Sequence, residues 1–489
     1  MEQAVAHVRP GSPACKASLS FIFLLDCGNP ARIRSNQEQI LSSLEGVARG
    51  YYDIPRNQRV EFRKQPTPLL SELSDCYVQR IKKQFLSNRP SILVELHPIR
   101  FSDLLIVNAE TATPSVGTFQ IESIAEISDL GVLVLHLFLS PGLNATPDAC
   151  IACKDPDNLI ATVDIQVTAT QPVRLHGAYS ISDIARFLAI SLLAAWYDDR
   201  RRTKTILDSI GTTSLKDIYA ATVKAFCSES DPFPECDVFP TIDLEIDIPK
   251  AGLATYCKES DRVLRALITD DLNWSRKSDA IVQSVIPDSS FASRDTLAWY
   301  VYHMGSVKLY SSDFETPLLH SKMLTHFELG IVLAMKFHLH RIMFRSQSAQ
   351  TSKWTPKQVA AFRRREVEIL QAHYNLDIAC KDTTADRIKR FMSILNVDHA
   401  YSIVESRLNH MRDELTTRYQ EKMSSIQILL TVVFGAFGAA RIAYALATRI
   451  SDHPNNMAMI WWELARTTGW TLVIVLLLLA IIQYIQRTK

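Results

Sequence analysis

The sequence carries almost no excess of either charge: 53 Lys and Arg stand against 52 Asp and Glu, a formal net charge of +1 over 489 residues. Holding a phosphate backbone takes a surplus of Lys and Arg on one face, so nucleic acid is not expected as a partner. A disulfide framework is lacking too. The nine cysteines, Cys15, Cys27, Cys76, Cys150, Cys153, Cys227, Cys236, Cys257 and Cys380, are odd in number and irregular in spacing, as reduced thiols in a cytosolic domain would be. Cys150 and Cys153 make one CxxC, but no second CxxC or HxxxH follows at the spacing of a four-ligand zinc site. Catalytic signatures are missing as well: there is no P-loop, no GxGxxG after a strand, no GxSxG, no HExxH and no kinase set. An enzyme is therefore not expected.

The start of the chain has an apolar run from Leu19 to Leu25 that begins late, lacks a basic flank and ends in Asp26. These features fit a first β-strand buried on both faces better than a secretory signal. Further strands are expected at 91–99, 103–109, 131–140 and 161–169, where β-branched residues are bounded by Pro, Gly or Asp. A hairpin is expected around Gly305. Helices are expected at 182–207, with Ser182 as the N-cap and Arg200, Arg201, Arg202 and Lys204 near the C-terminal end, and at 214–229. That basic run could hold a phosphate or an anionic lipid, or be solvated charge at a helix end.

In TIDLEIDIPK the carboxylates Asp243, Glu245 and Asp247 alternate with Ile242, Leu244, Ile246 and Ile248. On a strand, three carboxylates on one face, ~7 Å apart in succession, could bind a divalent cation such as Mg²⁺. A half-buried strand with a solvated acidic face gives the same alternation. His338 and His340 are two residues apart on a helix expected from Pro317 to about Arg345, so they cannot chelate one ion together. His303, His320 and His326 also lack ligand spacing.

Long apolar runs are confined to the last eighth of the chain. Residues 426–448 carry one charge, Arg441, and Trp470 to Ile485 carry none. About 20 residues cross a ~30 Å hydrocarbon core, so two membrane helices are expected, at 426–448 and 467–486, joined by an outer loop at 449–466. Trp461, Trp462, Trp470 and Tyr484 lie near the span ends, where amphipathic rings favour the interface. The basic flanks Arg418, Lys422, Arg487 and Lys489 place both ends on the cytoplasmic side of a plasma (inner) membrane. The first span has small residues, Gly435, Gly438 and Ala439 among them, that allow close helix packing within the hairpin or between subunits. Arg441 is tolerable there because its guanidinium can snorkel outward. In a pore lined by first spans it would instead form a ring of positive charge.

From Asp382 to Gln427 there is neither Gly nor Pro, and Val404, Leu408, Met411 and Leu415 repeat as an a/d seam. Ile388, Phe391 and Leu395 fit the same seam after a slip. One helix from near Ala385 into the bilayer would be a rigid link; a helix ending at the membrane surface, with a break near Ser424 and Ser425, is the alternative.

The expected architecture is a mixed α/β cytoplasmic domain (1–310, with possible sub-boundaries near 170–180 or 230–240), long helices with a stalk (311–425), and a two-helix transmembrane hairpin. In its stalk ADRIKRF…RYQEKM, its two spans and its ending QRTK, this arrangement resembles the CorA-like family of two-span metal ion transporters. The resemblance implies a homopentamer, a first span lining a pore, and a cytoplasmic domain that senses an ion or ligand. That family closes its first span with Gly-Met-Asn; this chain reads ALATRISDHPNNMAM there, so no ion-binding role passes to Asn455, Asn456 or Met457. A membrane-anchored binding, signalling or membrane-perturbing module without ion transport has the same anatomy.

Overall fold

Strand β1 (Cys15–Asp26) sends alternate residues to opposite helical layers, and the rest of the sheet follows its pleat. Leu19, Phe21, Phe23 and Leu25 join one apolar core. Ser18, Ser20, Ile22, Leu24 and Asp26, all buried, alternate with them on the other face. The computed structural model describes residues 15–27, 44–53, 58–62, 66–73, 92–107, 115–127, 130–144, 147–168, 172–197, 200–227, 236–259, 267, 295–314, 318–347, 357–362, 364, 382–452 and scattered positions between 458 and 473.

The remaining strands are β2 (Ala48–Asp53), β3 (Gln58–Glu61), β4 (Ile92–Leu96), β5 (Ile99–Ile106), β6 (Ser115–Ile127), β7 (Val132–Ser140), β8 (Leu143–Asn144), β9 (Leu159–Thr168), β10 (Pro172–Ser180), β11 (Asp237–Ile246), β12 (Leu297–Tyr302) and β13 (Gly305–Tyr310). They form one 13-stranded sheet in the order β10-β9-β5-β6-β7-β1-β11-β13-β12, with β4, β2 and β3 branching from β6, and β8 on β1. The long β6 makes the branch possible: its first half pairs with β5 and its last residues with β4. Among the described strands every pairing is antiparallel except β11 with β13, whose crossover contains a helix and β12.

Among the described residues the named helices are α1 (Pro68–Leu73), α2 (Pro147–Ala152), α3 (Ile181–Tyr197), α4 (Arg200–Asp208), α5 (Leu215–Cys227), α6 (Lys250–Glu259), α7 (Leu318–Gln347), α8 (Asp382–Ile394) and α9 (Val397–Asp452), and 357–362 is also helical. On one face of the sheet, α3 and α5 share an apolar core with Leu133, Leu135, Leu137, Ile242, Leu244 and Val307. On the other face lies α7, buried nearly all round from His326 to Ser346, beside α1 and α8.

The expected helix at 182–207 is two helices. α3 begins one residue earlier and is capped by Ser180, whose Oγ accepts from the Asp183 N–H at 3.1 Å, rather than by Ser182. The basic run opens α4 instead of closing α3, where the helix dipole no longer favours it. The expected hairpin is present, with Gly305 starting β13. The single helix expected from near Ala385 is interrupted. Asn396 takes φ 56° between α8 and α9, its N–H donates to the Ser393 carbonyl at 3.1 Å, and its own carbonyl accepts from Ala400 N–H at 3.0 Å. This left-handed residue ends one helix and opens the next, which is the physical form of the slip in the seam.

The chain divides into two compact units, Met1–Trp354 with Ala361–Arg407, and Thr355–Ala360 with Leu408–Lys489. Strands β10 and β11, at the candidate sub-boundaries, both lie in the first unit's single sheet. α9 is 56 residues of continuous helix. From Val397 to Thr448 it is long and apolar enough to cross a membrane, and Ile428, Val432, Phe437 and Tyr444 are exposed along it. It runs past the expected span end at 448. Of the expected second span, 467–486, only Gly469, Trp470 and Val473 are described, and they are helical; the rest lies outside the described residues.

Candidate functional site: a buried polar seam under helix α7

Where α7 crosses the sheet, the strands present polar residues instead of apolar ones. Helix and sheet approach closely at Gly330, where a Cβ would stand 2.9 Å from Cε1 of His136 on β7. His136 is fully buried, its ring 4.2 Å from Phe327 and 5.9 Å from His326 between centroids. His326 Nε2 is 2.7 Å from Ser20 Oγ on β1. Next along the sheet, Ser306 Oγ donates to Thr241 Oγ1 at 3.1 Å.

On one side of this centre lies a run of alternating charges. Asp243 on β11 faces Lys308 on β13 at 3.8 Å, both buried, and the Lys308 ammonium sits 5.3 Å from the Trp299 ring centroid. Glu328 on α7 accepts from Arg387 on α8 at 2.7 Å. Burial pushes the Glu328 carboxyl above its ordinary range, while the cations Arg387 and Lys308 pull it back. Trp299 packs edge-on against Phe391 of α8, so this charge run is walled by aromatic rings.

At the other end Asp26, fully buried, receives Arg341 at 2.8 Å and Arg345 at 3.1 Å, both from α7. Arg341 also donates to the carbonyls of Gly131, at 2.7 Å, and Leu130, and meets His338 Nδ1 at 2.6 Å. The Asp26 carbonyl accepts from Tyr219 on α5 at 2.8 Å. One aspartate thus ties β1, the turn before β7, and helices from both layers.

Near the first turns of α7, α1 packs through Leu69, Leu70 and Leu73 against Met323 and Phe327. Beneath α1 lies Glu95 of β4, 1% exposed, which accepts from the Leu70 N–H at 2.9 Å and stands 3.6 Å from Arg49. Burial raises its carboxyl to about 7; the Leu70 hydrogen bond and Arg49 oppose this, and Glu122 adds to it.

The acidic strand is disposed differently from a chelating face. Asp243 is buried against Lys308, Glu245 is half-buried opposite Lys16 and Tyr310, and Asp247 is exposed beyond the end of β11. The face bearing Asp243 is covered, not solvated. Among the described residues no group of three or more His, Cys, Asp and Glu is placed to hold a metal ion. Cys150 and Cys153 are buried, and burial pushes the Cys153 thiol up to about 12, so it stays protonated. In α9, Gly435, Ala439 and Arg441 are exposed and Gly438 is buried; a Cβ at Gly435 would meet nothing within 4 Å.

Sequence reasoning did not single out His136, Glu95, Lys308, Glu328 or Arg341. The available signal was a polar or charged residue inside an apolar run: Glu95 in ILVEL, His136 in VLVLHLFLS and Lys308 in GSVKLY. No protein-family model matches this chain, nor does any curated protein or solved structure.

Proposed function

We propose that this is a membrane protein built on the plan of the CorA-like family, in which the α/β domain is a sensor and α9 is the stalk that carries its state to a pore lined by first spans. The observation that carries this reading is α9 itself, a continuous helix from Val397 whose distal part is apolar and exposed. At 1.5 Å per residue it extends roughly 80 Å, more than twice the ~30 Å of a hydrocarbon core, so one element can reach from domain to lipid. Its exposed Ile428, Val432, Phe437 and Tyr444 are costly in water and suit acyl chains or neighbouring subunits. The run from 467 to 486 completes a hairpin, with both ends cytoplasmic. A homo-oligomer, a pentamer on the family plan, would place Gly435, Gly438 and Ala439 at the contact between inner helices and Arg441 towards the outer end of the pore. A divalent cation such as Mg²⁺ is the transported or sensed species that the family plan implies.

A second reading is an anchored signalling or membrane-perturbing module without a pore. It is favoured by the sequence after the first span, which lacks Gly-Met-Asn, and by Arg441, whose charge opposes divalent cations. Reconstituted liposomes separate the two. A pore gives ion flux whose cation preference rises in Arg441→Ala by about tenfold or more, as expected when a ring of positive charge is removed. Silence of both proteins across divalent conditions, with a monomeric mass in detergent, establishes the anchor.

A further inference from the structure

The sensor reading leaves open what the domain responds to, and the ground under α1 supplies a candidate. We propose that Glu95 is a proton-operated latch, which holds α1 on the sheet beside α7 when its carboxyl is neutral and loosens α1 when it is ionised. The proposal rests on the sensor reading given above and names the proton as a ligand.

Three features of the site carry it. First, Glu95 is buried at 1% exposure under a helix of one and a half turns, with Oε2 accepting from the Leu70 N–H at 2.9 Å. A neutral carboxyl keeps that bond, because its carbonyl oxygen still accepts. Second, Oε1 is buried without a hydrogen bond, and its cationic neighbour Arg49 stands at 3.6 Å, beyond hydrogen-bonding distance and partly in solvent. An ionised carboxylate is therefore under-compensated, and the cheapest relief is water entering beneath α1. Third, the other neighbours are mostly acids. From β6, Glu122 and the buried Glu126 share the face of Glu95; from β2 come Arg49 and Tyr52; and Glu61 of β3, which stands 3.5 Å from Arg59, accepts from Thr67 ahead of α1. The Leu70 N–H and Arg49 favour ionisation, Glu122 opposes it, and burial outweighs them.

The latch faces the helix that organises the buried seam. Leu69, Leu70 and Leu73 pack on Met323 and Phe327, so loosening α1 uncovers the first turns of α7. The residue after Phe327, Glu328, bonds Arg387 of α8, the helix that precedes α9. Proton release at Glu95 thus acts on the element that meets α8.

The direction with pH follows from linkage. The folded carboxyl, at about 7, lies above its unfolded value near 4.5, so the closed latch holds its proton more tightly than the open one. Closure is fully stabilised below the unfolded value, weakens as pH rises towards about 7, and then levels off.

Hydrogen exchange at the α1 amides of the full-length protein in detergent, corrected for intrinsic rates, tests this. Between about pH 4.5 and pH 8, protection should fall by up to about two orders of magnitude and then plateau. Glu95→Gln should stay protected throughout. Glu122→Gln should bring the plateau to lower pH, and Arg49→Met should push it higher. Protection that is independent of pH in the unsubstituted chain, or a plateau that neither neighbour shifts in these directions, overturns the latch even if Glu95→Gln does not fold. The readout is local to α1, so it stands or falls separately from ion flux in liposomes.

Discussion

Asp26 shows how much of this fold rests on single buried charges. Its carboxylate is fully buried and holds two arginines of α7, while its carbonyl holds Tyr219 from the opposite layer. Such a network adds little net stability over well-packed apolar residues, but removing one partner leaves charge without compensation. Asp26→Ala, which strands Arg341 and Arg345 together, should therefore cost about 3–5 kcal/mol in denaturant unfolding, a large share of a domain's stability. A loss below about 1 kcal/mol would mean that the carbonyls of Leu130 and Gly131 suffice for the guanidinium. In the sequence Asp26 is only the residue that ends an apolar run. Its partners lie more than 300 positions away, at separations of 315 and 319, and no local pattern couples them.

Among elements, the break at Asn396 is the instructive one. Ile388, Phe391, Leu395, Val397, Val404 and Leu408 are all buried, so the apolar stripe was legible on both sides of the break. The change of direction was not, because the heptad slip fits a stutter in one helix as well as a cap between two. Asn is among the few residues that take the left-handed conformation readily. Asn396→Val should destabilise the α8–α9 junction by about 1–2 kcal/mol, whereas Asn396→Gly should be nearly neutral or slightly stabilising. Thermal unfolding of the pair of variants checks this; equal losses would show that the side chain matters, not the backbone angle. Strand β11 teaches a related point. Its alternation of acid and aliphatic was read correctly as a strand, but alternation cannot say whether the polar face meets water or a second layer. Lys308, 65 residues beyond Asp243 and opposite it in β13, makes the buried face affordable.

For the whole molecule, the proposed membrane reading turns on the contrast between a domain buried on both faces of its sheet and a helix whose apolar side chains are exposed. Full-length protein expressed in cells should sediment with membranes and resist alkaline carbonate extraction. Truncation before Ile426 should move most of it, at least about tenfold, into the soluble fraction, because ~20 apolar residues confer effectively irreversible insertion. A full-length chain that stays in the supernatant would leave the exposed face of α9 to a protein partner.

What the sequence determined by itself is whatever depends on neighbours along the chain: apolar runs long enough for lipid, alternation for strands, the a/d seam of α8 and the first part of α9, and the absence of short catalytic or metal-ligand motifs. The tertiary structure alone decided which polar residues are buried, since that depends on which element lies across the sheet. Helix α7 covers Ser20 and His136, Lys308 of β13 meets the buried Asp243, and α1 covers Glu95. Burial turns ordinary side chains into costly charges that need a particular partner, and those partners are brought together only when distant segments pack.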